Sequence, residues 1–490
     1  MDKPAGMFDR DFEWAELSRY VGFQEPRATL GVVSGRRRQG KTYLLDAMAG
    51  ATGGFMFTAT EATEALGLRL FGRALARYCR EPVPFRFVDW DEAIARLMLV
   101  ATSGPTVVVI DEFPHLANAA PSLPSIIQKY LDPTAQHTNT PVRLLLCGSA
   151  LSFMGKLLSG NAPLRGRAGL EMVVPTFDFR LAAEFWDIED PRLALLTNAV
   201  VGGTPAYRRE FAVNDSPRNL ADFDPWVVRA VLSPTRPLFR EARYLLAEEP
   251  ELHDTALYHT VLAAIAAGNS TRGGIANCLM RKASDLAHSL AVLEDVGMIT
   301  HDPDVFRGNR SQYRIAEPLL TFYHSIVEPA WGELERPGRA DGVWQYSQRT
   351  FTSKVVGPHF ERVCREWARW YADPETFGGY ATAVGSGVVN DPTRRTHHEV
   401  DVAVLGQDED GRRVVRSIGE AKWNTTMTLG HLDRLRRIRD LLRDHPKAPA
   451  EPDTKLSLYS GSGFADDLRE AAAECGDIVL VDLPRLYAGS

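Results

Sequence analysis

Hydrophobic and polar positions divide the chain into three stretches with different periodicities. Up to about residue 212, short apolar runs alternate with longer helical patterns, which is typical of an α/β domain built on a parallel sheet. From about residue 250 to 325 apolar positions recur mainly at helical spacing, and after about residue 345 strand and helix patterns alternate again. The pattern therefore predicts an α/β domain, a mostly helical domain and a second α/β domain.

Chain length and proline clusters agree with this division. At 490 residues the chain is too long for one hydrophobic core, and about three domains are expected. Prolines cluster at 214–237 and at 328–342, where they favour connecting segments. We predict domains at 1–212, 251–328 and 345–490, with a linker or helical lid at 213–250.

Composition limits the classes of partner and compartment. The formal net charge of −7 gives no general attraction to nucleic acid or to an anionic membrane, so a DNA-binding surface has to be a local patch. The five cysteines occur singly, without a C-x-x-C pair, which argues against a zinc module or a disulfide framework and suits a reducing cytoplasm. No stretch is apolar over the length of a membrane span. We therefore expect a soluble, cytoplasmic protein.

The segment at 35–42 carries the strongest chemical signal. It reads G-R-R-R-Q-G-K-T and fits the phosphate-binding pattern G-x-x-x-x-G-K-[ST], with a strand pattern before it and a helical pattern after it. In such a loop the glycines let backbone N–H groups surround the phosphates, and the helix N-terminus adds unpaired donors. Lys41 would reach the β- and γ-phosphates, and Thr42 would bind Mg²⁺. The alternative is a chance Gly/Lys turn; the prediction is binding of ATP with Mg²⁺.

A second acidic element supports a triphosphate site. Four β-branched residues at 107–110 predict a strand buried on both faces, and Asp111 follows at its carboxyl end, where α/β sheets bind ligands. Asp111 would hold Mg²⁺ through a water, and Glu112 would orient or polarise the attacking water. Arg165 and Arg167 could neutralise charge on the transferred phosphoryl group, in their own or a neighbouring subunit, or could be a solvated pair.

Several short segments occur in an order that resembles a known family. They are Phe8-Asp9-Arg10 with Glu13 and Leu17, the loop at 35–42, Ile110-Asp111-Glu112, Cys147-Gly148-Ser149, Pro163-Leu164-Arg165-Gly166-Arg167 and Gly202-Gly203-Thr204-Pro205-Ala206-Tyr207. This set is similar to the archaeal-type ATPases of archaea and bacteria, a branch near the STAND signal-transduction ATPases and the origin-recognition AAA+ proteins. The resemblance implies a P-loop AAA/STAND-like ATPase domain that hydrolyses ATP.

The resemblance also implies roles for single residues. Ser149 would sense the γ-phosphate, the alternative being that it only caps the next helix, and Pro205 would lie in the helical region behind the nucleotide. Arg165 stands where the family usually has an aromatic residue, which leaves open whether it or Arg167 serves as finger or sensor. The nucleotide-binding residues predicted are Gly35, Arg38, Gln39, Gly40, Lys41, Thr42, Tyr43, Asp111, Ser149, Arg167 and Pro205.

The middle of the chain has the outline of a winged helix. Two short helical patterns, a longer third at 284–293 and a polar hairpin at 302–312 follow one another. The third pattern presents Ser284, Asp285, His288 and Ser289 on its exposed face, with Arg281 and Lys282 at its entry and Arg307 and Arg310 in the hairpin. The basic residues suit phosphate contacts, but the helix lacks the Arg, Asn and Gln side chains that usually identify bases. DNA contact and intramolecular packing both stay open.

The last stretch contains a second acidic constellation. A strand pattern with Asp401 is followed, across a turn, by an antiparallel strand pattern ending in Glu420-Ala421-Lys422. Acid, hairpin and Glu-x-Lys resemble the PD-(D/E)xK nuclease core, with Glu361 as an acid on a preceding helix. The resemblance implies that Glu361, Asp401 and Glu420 bind Mg²⁺ and that Lys422 positions or activates water. The alternative is a degenerate nuclease fold kept for binding.

Together these features predict an α/β protein with a P-loop ATPase parallel-sheet domain, a winged-helix middle domain and a C-terminal PD-(D/E)xK-like domain. The predicted function is ATP binding and hydrolysis, with the nucleotide state gating a Mg²⁺-dependent nuclease-like domain that acts on DNA. The alternative is an ATP-switched DNA-binding or regulatory scaffold. The predicted catalytic residues are Glu112, Asp401, Glu420 and Lys422. Action of an arginine in trans would require a homo-oligomer.

Overall fold

The computed structural model describes residues 1–101, 104–132, 140–247, 254–308 and 310–490. It divides the chain into two compact units, Met1–Thr176 and Phe177–Ser490. The division falls at 176 and not at the predicted 212, because the last strand of the first sheet ends before it and Phe177 donates its backbone N–H to the Gly203 carbonyl, 3.0 Å away. The predicted boundary between 250 and 251 lies outside the described residues, and the subdivision of the second unit stays a prediction.

A five-stranded parallel sheet forms the centre of the first unit, as the hydrophobic pattern predicted. Its strands are β1 (Thr29–Ser34), β2 (Phe55–Thr58), β3 (Thr106–Asp111), β4 (Val142–Gly148) and β5 (Ala168–Val173), in the spatial order β2-β3-β4-β1-β5. Neighbouring strands pair in parallel throughout. All five carboxyl ends therefore lie at one edge of the sheet.

Helices cover both faces of this sheet. They are α1 (Asp11–Val21), α2 (Lys41–Thr52), α3 (Glu64–Tyr78), α4 (Trp90–Met98), α5 (Phe113–Ala119), α6 (Leu123–Leu131) and α7 (Leu151–Leu157). Val107 and Val109 pack into one core with residues of α1 and α2, whereas Val108 and Ile110 pack into another with residues of α3 to α6. Burial on both faces explains the uninterrupted apolar run of β3.

The second unit begins with a helical region. Its helices are α8 (Phe179–Trp186), α9 (Pro191–Val201), α10 (Leu220–Trp226), α11 (Pro237–Ala247), α12 (Thr255–Ala266), α13 (Arg272–Cys278), α14 (Ala287–Asp295), α15 (Pro318–Phe322), α16 (Trp331–Leu334), α17 (Ala340–Thr350) and α18 (Gly357–Trp370). Four π-helical segments, Tyr207–Phe211, Val227–Val231, Tyr323–Val327 and Phe351–Val356, and a 3₁₀ turn, Pro374–Phe377, also occur among the described residues.

The segment predicted as a winged helix contains three helices, α12 to α14, and an antiparallel hairpin of β6 (Ile299–Pro303) and β7 (Ser311–Ile315). One residue of the predicted hairpin, at position 309, lies outside the described part. The exposed face predicted for the third helix is wrong in detail. Helix α14 begins only at Ala287, so Ser284 and Asp285 precede it, and Ser289 is buried.

A mixed sheet closes the second unit. Its strands are β8 (Ala383–Asp391), β9 (Thr396–Gln407), β10 (Arg413–Lys422), β11 (Ala450–Ser460) and β12 (Ile478–Asp482), in the order β12-β11-β10-β9-β8, with helices α19 (Leu429–Leu442), α20 (Asp466–Glu474) and α21 (Leu483–Ala488). Strands β8, β9 and β10 pair antiparallel, and β10, β11 and β12 pair in parallel. The glycine-rich β8 was not predicted, because its glycines hide the strand pattern.

Among the described residues, no helix has both the length and the apolar character that crossing a lipid bilayer requires.

Candidate functional site

The loop at 35–42 connects the carboxyl end of β1 to the N-terminus of α2. Gly35, Arg38 and Gly40 have φ angles of 149°, 70° and 85°, so three positions of the loop have a positive φ. A Cβ atom on Gly35 would lie 2.6 Å from the carbonyl oxygen of Val174 and 2.8 Å from Oε1 of Gln39. Glycine is therefore required at 35 both by crowding and by backbone conformation.

Lys41 is the first residue of α2 and folds back over this loop. Its Nζ donates to the carbonyl oxygen of Arg36 at 2.7 Å, and its side chain is buried. Burial lowers the pKa of Lys41, and Cys147, Glu112 and Asp111 oppose this effect only in part. An anion placed at the loop would compensate the buried charge of this ammonium group.

Thr42 and Asp111 meet at the carboxyl edge of the sheet. Thr42 Oγ1 donates to Asp111 Oδ2 at 2.7 Å, although the two residues are 69 positions apart in the chain. The second oxygen, Asp111 Oδ1, accepts from the Glu112 backbone N–H at 3.0 Å. A hydroxyl and a carboxylate in direct contact are oxygen ligands of the kind that Mg²⁺ takes, with waters and phosphate oxygens completing its shell. These two residues therefore fit the predicted magnesium site.

Ser149 lies beside Glu112 at the same edge. Its Oγ donates to Glu112 Oε2 at 3.2 Å and is 3.4 Å from Oε1. The alternative that Ser149 caps the next helix is wrong, because α7 has Ala150 as its N-cap and no side-chain capping bond. Glu112 itself has a φ of 50° and precedes α5, so its carboxylate is presented at the end of β3.

Arg10 is a residue whose role sequence reasoning missed. It is buried, its Nη1 donates to Glu13 Oε1 at 3.0 Å, and its Nη2 donates to the carbonyl oxygens of Gln39 at 3.3 Å and Pro175 at 2.8 Å. The guanidinium thus joins the start of α1 to the loop at 35–42 and to the segment after β5. The signal was present, since Arg10 belongs to the opening segment of the family resemblance.

The other predicted nucleotide-binding residues are placed differently. Gln39 is buried in the loop, and Tyr43 is exposed on α2. Arg167 precedes β5, whose Ala168 pairs with Leu30 at the start of β1, so Arg167 lies at the opposite edge of the sheet from the loop. The structure does not bring Arg167 to the loop within one chain: its Nη2 is 3.2 Å from Asp132 Oδ2. Pro205 belongs to the second unit.

Three residues of the predicted nuclease-like site converge in the second unit. Lys422 Nζ lies 3.0 Å from Glu420 Oε1 and 3.7 Å from Asp401 Oδ2. Asp401 Oδ2 also accepts from the Ala421 backbone N–H at 2.9 Å, which holds the end of β10 against β9. Burial lowers the pKa of Lys422, but Asp401 and Glu420 together outweigh burial, and its pKa is raised.

The third predicted acid, Glu361 on α18, is close enough to Asp401 for its charge to affect the pKa of that carboxyl group. Burial, followed by the charge of Glu361, raises the pKa of Asp401 to about 6. Arg365, one turn further along α18, donates to the Asp401 carbonyl oxygen at 2.8 Å and lies 3.8 Å from Glu361 Oε2. Glu361 and Asp401 both line a cavity of about 300 Å³ that also carries Arg314, Lys354 and Arg362.

Arg434 of α19 is a second cation at this site. Its Nη1 lies 2.6 Å from Glu420 Oε1, the oxygen that Lys422 also contacts, while Glu420 Oε2 is buried without a hydrogen-bond partner among the described residues. Several arginines of α19 are paired with carboxylates in this way. Arg437 contacts Asp391 and Arg439 contacts Asp477, so these side chains stabilise the fold.

The comparisons with known proteins give distant similarities, and no protein-family model matches the chain. It is 26% identical over 342 residues to the uncharacterized protein MJECL04 of Methanocaldococcus jannaschii, covering 69% of this chain and 72% of that protein. Among solved structures it is similar to the Walker-type ATPase PABY2304 of Pyrococcus abyssi, with a TM-score of 0.49, 19% identity and coverage of 66% of this chain and 97% of that one. It is also similar to the ORC2 protein of Aeropyrum pernix, with a TM-score of 0.39, 16% identity and coverage of 71% and 97%.

Proposed function

We propose that the first unit binds ATP with Mg²⁺ and hydrolyses it. The observation that carries the proposal is the contact between Thr42 and Asp111 beside a glycine loop and a buried Lys41. These groups come from the loop after β1, the start of α2 and the end of β3, and they meet where a triphosphate and its metal would be bound.

Each residue has a distinct task in this proposal. Backbone N–H groups of the loop and Lys41 bind the phosphate oxygens, while Thr42 and Asp111 would hold Mg²⁺. A bound Mg²⁺ would supply neutralisation of the phosphate charge. Glu112 polarises the attacking water, and the Ser149 hydroxyl holds the Glu112 carboxylate in place.

Two substitutions test the ATPase by separating binding from chemistry. Lys41→Ala removes the buried ammonium, and we expect ATP affinity to fall by about 10–100-fold, the loss of one charged hydrogen-bonding group. Glu112→Gln keeps the shape of the side chain, and we expect near-normal binding with kcat lower by about 10²–10⁴-fold. The measurements are titration with a fluorescent ATP analogue and phosphate release. Exposed Lys156→Ala is the matched control, and equal affinity in Lys41→Ala and this control would contradict the proposal.

We further propose a Mg²⁺-dependent nuclease-like site in the second unit, acting on DNA. The convergence of Asp401, Glu420 and Lys422 supports it, together with Glu361 in the adjoining cavity. Paired carboxylates and a lysine are the groups that such hydrolysis uses to hold a metal and position water. The basic residues of the same cavity suit a phosphodiester substrate.

One observation favours the alternative of an inactive nuclease fold within an ATP-switched DNA-binding or regulatory scaffold. Lys422 and Arg434 both contact Glu420 Oε1, so two cations already compensate this carboxylate. Metal binding would require Glu420 to release at least one of them.

A cleavage assay distinguishes an active nuclease site from an inactive nuclease fold that serves only as a scaffold. Linear, circular and single-stranded DNA and RNA are incubated with Mg²⁺ or Mn²⁺, using the wild type, Glu420→Gln and exposed Glu470→Gln. We expect cleavage by the wild type and by Glu470→Gln and none by Glu420→Gln. Glu420 belongs to the cluster with Asp401 and Lys422, whereas Glu470 does not. Absence of cleavage from all three, with DNA binding intact, would favour the scaffold.

A further inference from the structure

Two histidines and a glutamate come together in the helical region of the second unit. His259 lies on α12, His324 lies in the π-helical segment Tyr323–Val327, and Glu328 follows that segment directly. One potential ligand atom from each of these three side chains lies within 4.8 Å of the others. None of the three belongs to the ATP site or to the carboxylate site around Asp401.

The ring nitrogens in this group are incompletely used. Within the described part of the chain, His259 Nδ1 and His324 Nε2 are buried and have no hydrogen-bond partner. The His324 side chain is fully buried, and its Nδ1 lies 2.7 Å from Glu328 Oε2. Buried polar atoms normally have partners, because desolvation without compensation is costly. A ligand that accepts lone pairs from imidazole nitrogens would remove this cost.

The donor set identifies the class of ligand. Two imidazoles and one carboxylate suit Zn²⁺, whereas Mg²⁺ and Ca²⁺ prefer oxygen donors alone. The 2.7 Å contact between Glu328 Oε2 and His324 Nδ1 places the carboxylate directly beside one imidazole, as two ligands of one ion have to be. The Glu328 side chain is about two-fifths exposed, which leaves the three residues open to an ion from solution.

One neighbouring charge opposes a cation. Arg243 acts electrostatically on both His259 and Glu328, and its guanidinium stacks over the Trp331 ring at 4.8 Å from the centroid. This positive charge makes the site weaker than a closed four-ligand zinc site. Three protein ligands also leave a fourth position for water.

We propose that His259, His324 and Glu328 form a zinc site that links α12 to the segment Tyr323–Val327. The site joins two elements that are distant in sequence, and zinc binding therefore stabilises the folded second unit. This zinc site is independent of the proposed ATPase and nuclease activities.

The test measures zinc affinity of the untagged full-length protein by competition with a chromophoric chelator, with saturating Mg²⁺ present to occupy oxygen-rich sites. We expect one zinc equivalent for the wild type, its loss in His259→Gln, and an affinity lower by about 10–100-fold in Glu328→Gln. Exposed His288→Gln and Glu335→Gln are the matched controls and should behave as the wild type.

Thermal unfolding gives a second measurement on the same proteins. Zinc should raise the Tm of the wild type and of both controls, but not that of His259→Gln. His259 and Glu328 are only partly buried, so their variants test the site even if His324→Gln fails to fold. Equal zinc affinity in the wild type and His259→Gln, or no zinc binding by the wild type, would overturn the proposal.

Discussion

Lys41 is buried and the Lys422 side chain is about one-third exposed, and the charges around the two ammonium groups differ. Lys41 is in contact with a backbone carbonyl, and burial lowers its pKa. Lys422 lies between two carboxylates, which raise its pKa despite burial. The first ammonium group therefore gains most from an incoming anion, whereas the second is already compensated. This contrast supports a phosphate-binding role for Lys41 and a positioning role for Lys422.

Asp401 leads to a prediction about stability. Its folded-state pKa of about 6 lies above the ordinary value of 3.8, so the folded protein binds this proton more tightly than the unfolded chain. The resulting stability is present below pH 3.8 and is lost as the pH rises through about 6. At neutral pH the ionised carboxylate is destabilising, and Asp401→Asn should stabilise the metal-free protein by roughly 1–3 kcal/mol.

The measurement is urea unfolding with EDTA, at about pH 7.5 and about pH 4. The gain in Asp401→Asn should shrink at the lower pH, where the wild-type carboxyl group is protonated. Exposed Asp453→Asn should change little at either pH. A stabilisation that is the same at both pH values would show that the charge of Asp401 is not its cause.

At the scale of elements, the two sheets bring their candidate site residues together in different ways. In the first unit, every strand is parallel, so Asp111, Ser149 and the loop after β1 meet at one edge. In the second unit, β9 and β10 are antiparallel, and Asp401 reaches the end of β10 through the hydrogen bond to Ala421. The parallel sheet of the first unit follows from its alternating strands and helices. The contact between Asp401 and Ala421 depends instead on the register in which β9 and β10 pair.

Gly203 gives a prediction about how α9 is joined to the start of the second unit. A Cβ atom at 203 would lie 1.9 Å from the carbonyl oxygen of Phe177 and 2.7 Å from its carbonyl carbon. Gly203→Ala must therefore displace the backbone and should destabilise the protein by about 1–3 kcal/mol or more. The measurement is the Tm by calorimetry. Gly332→Ala, where an added Cβ meets nothing within 4 Å, is the control and should not lower the Tm.

At the scale of the whole molecule, one chain carries a candidate ATP site and a candidate hydrolytic site. The sequence predicts that the nucleotide state of the ATPase domain gates cleavage by the nuclease-like domain. In that case Lys41→Ala should abolish ATP-dependent cleavage although every residue around Asp401 is unchanged. The experiment compares cleavage by the wild type, Lys41→Ala and Glu420→Gln, with and without ATP. Equal cleavage by Lys41→Ala and the wild type would separate the two activities.

Self-assembly is a further prediction at this scale. Arg167 lies at the edge of the sheet opposite to the loop, so it can assist hydrolysis only at the site of another subunit. If it does so, the ATPase rate per molecule should rise with protein concentration and Arg167→Ala should remove this rise. A rate that is independent of concentration, and equal in both proteins, would assign Arg167 to its contact with Asp132.

Local patterns predicted much of the first unit and less of the second. The phosphate-type loop, the buried strand before Asp111 and the carboxylate-lysine motif were all recognised from residues close together in the chain. The strand β8 and the π-helical segments were not, because glycines and irregular turns carry weak periodicity. The burial of Ser289 was not predicted, because α14 begins later in the chain than the apolar spacing indicates.

The sequence by itself determined the loop chemistry at 35–42 and the α/β character of the first unit, because both depend on short-range spacing. Only the tertiary structure decided that Ser149 contacts Glu112, that Arg434 and Lys422 share Glu420, and that Arg167 lies far along the sheet from the loop. The group of His259, His324 and Glu328 has no cysteine pair, so the cysteine spacing in the sequence does not indicate it. Such contacts join residues from separate elements, and their distances follow from packing and register rather than from spacing along the chain.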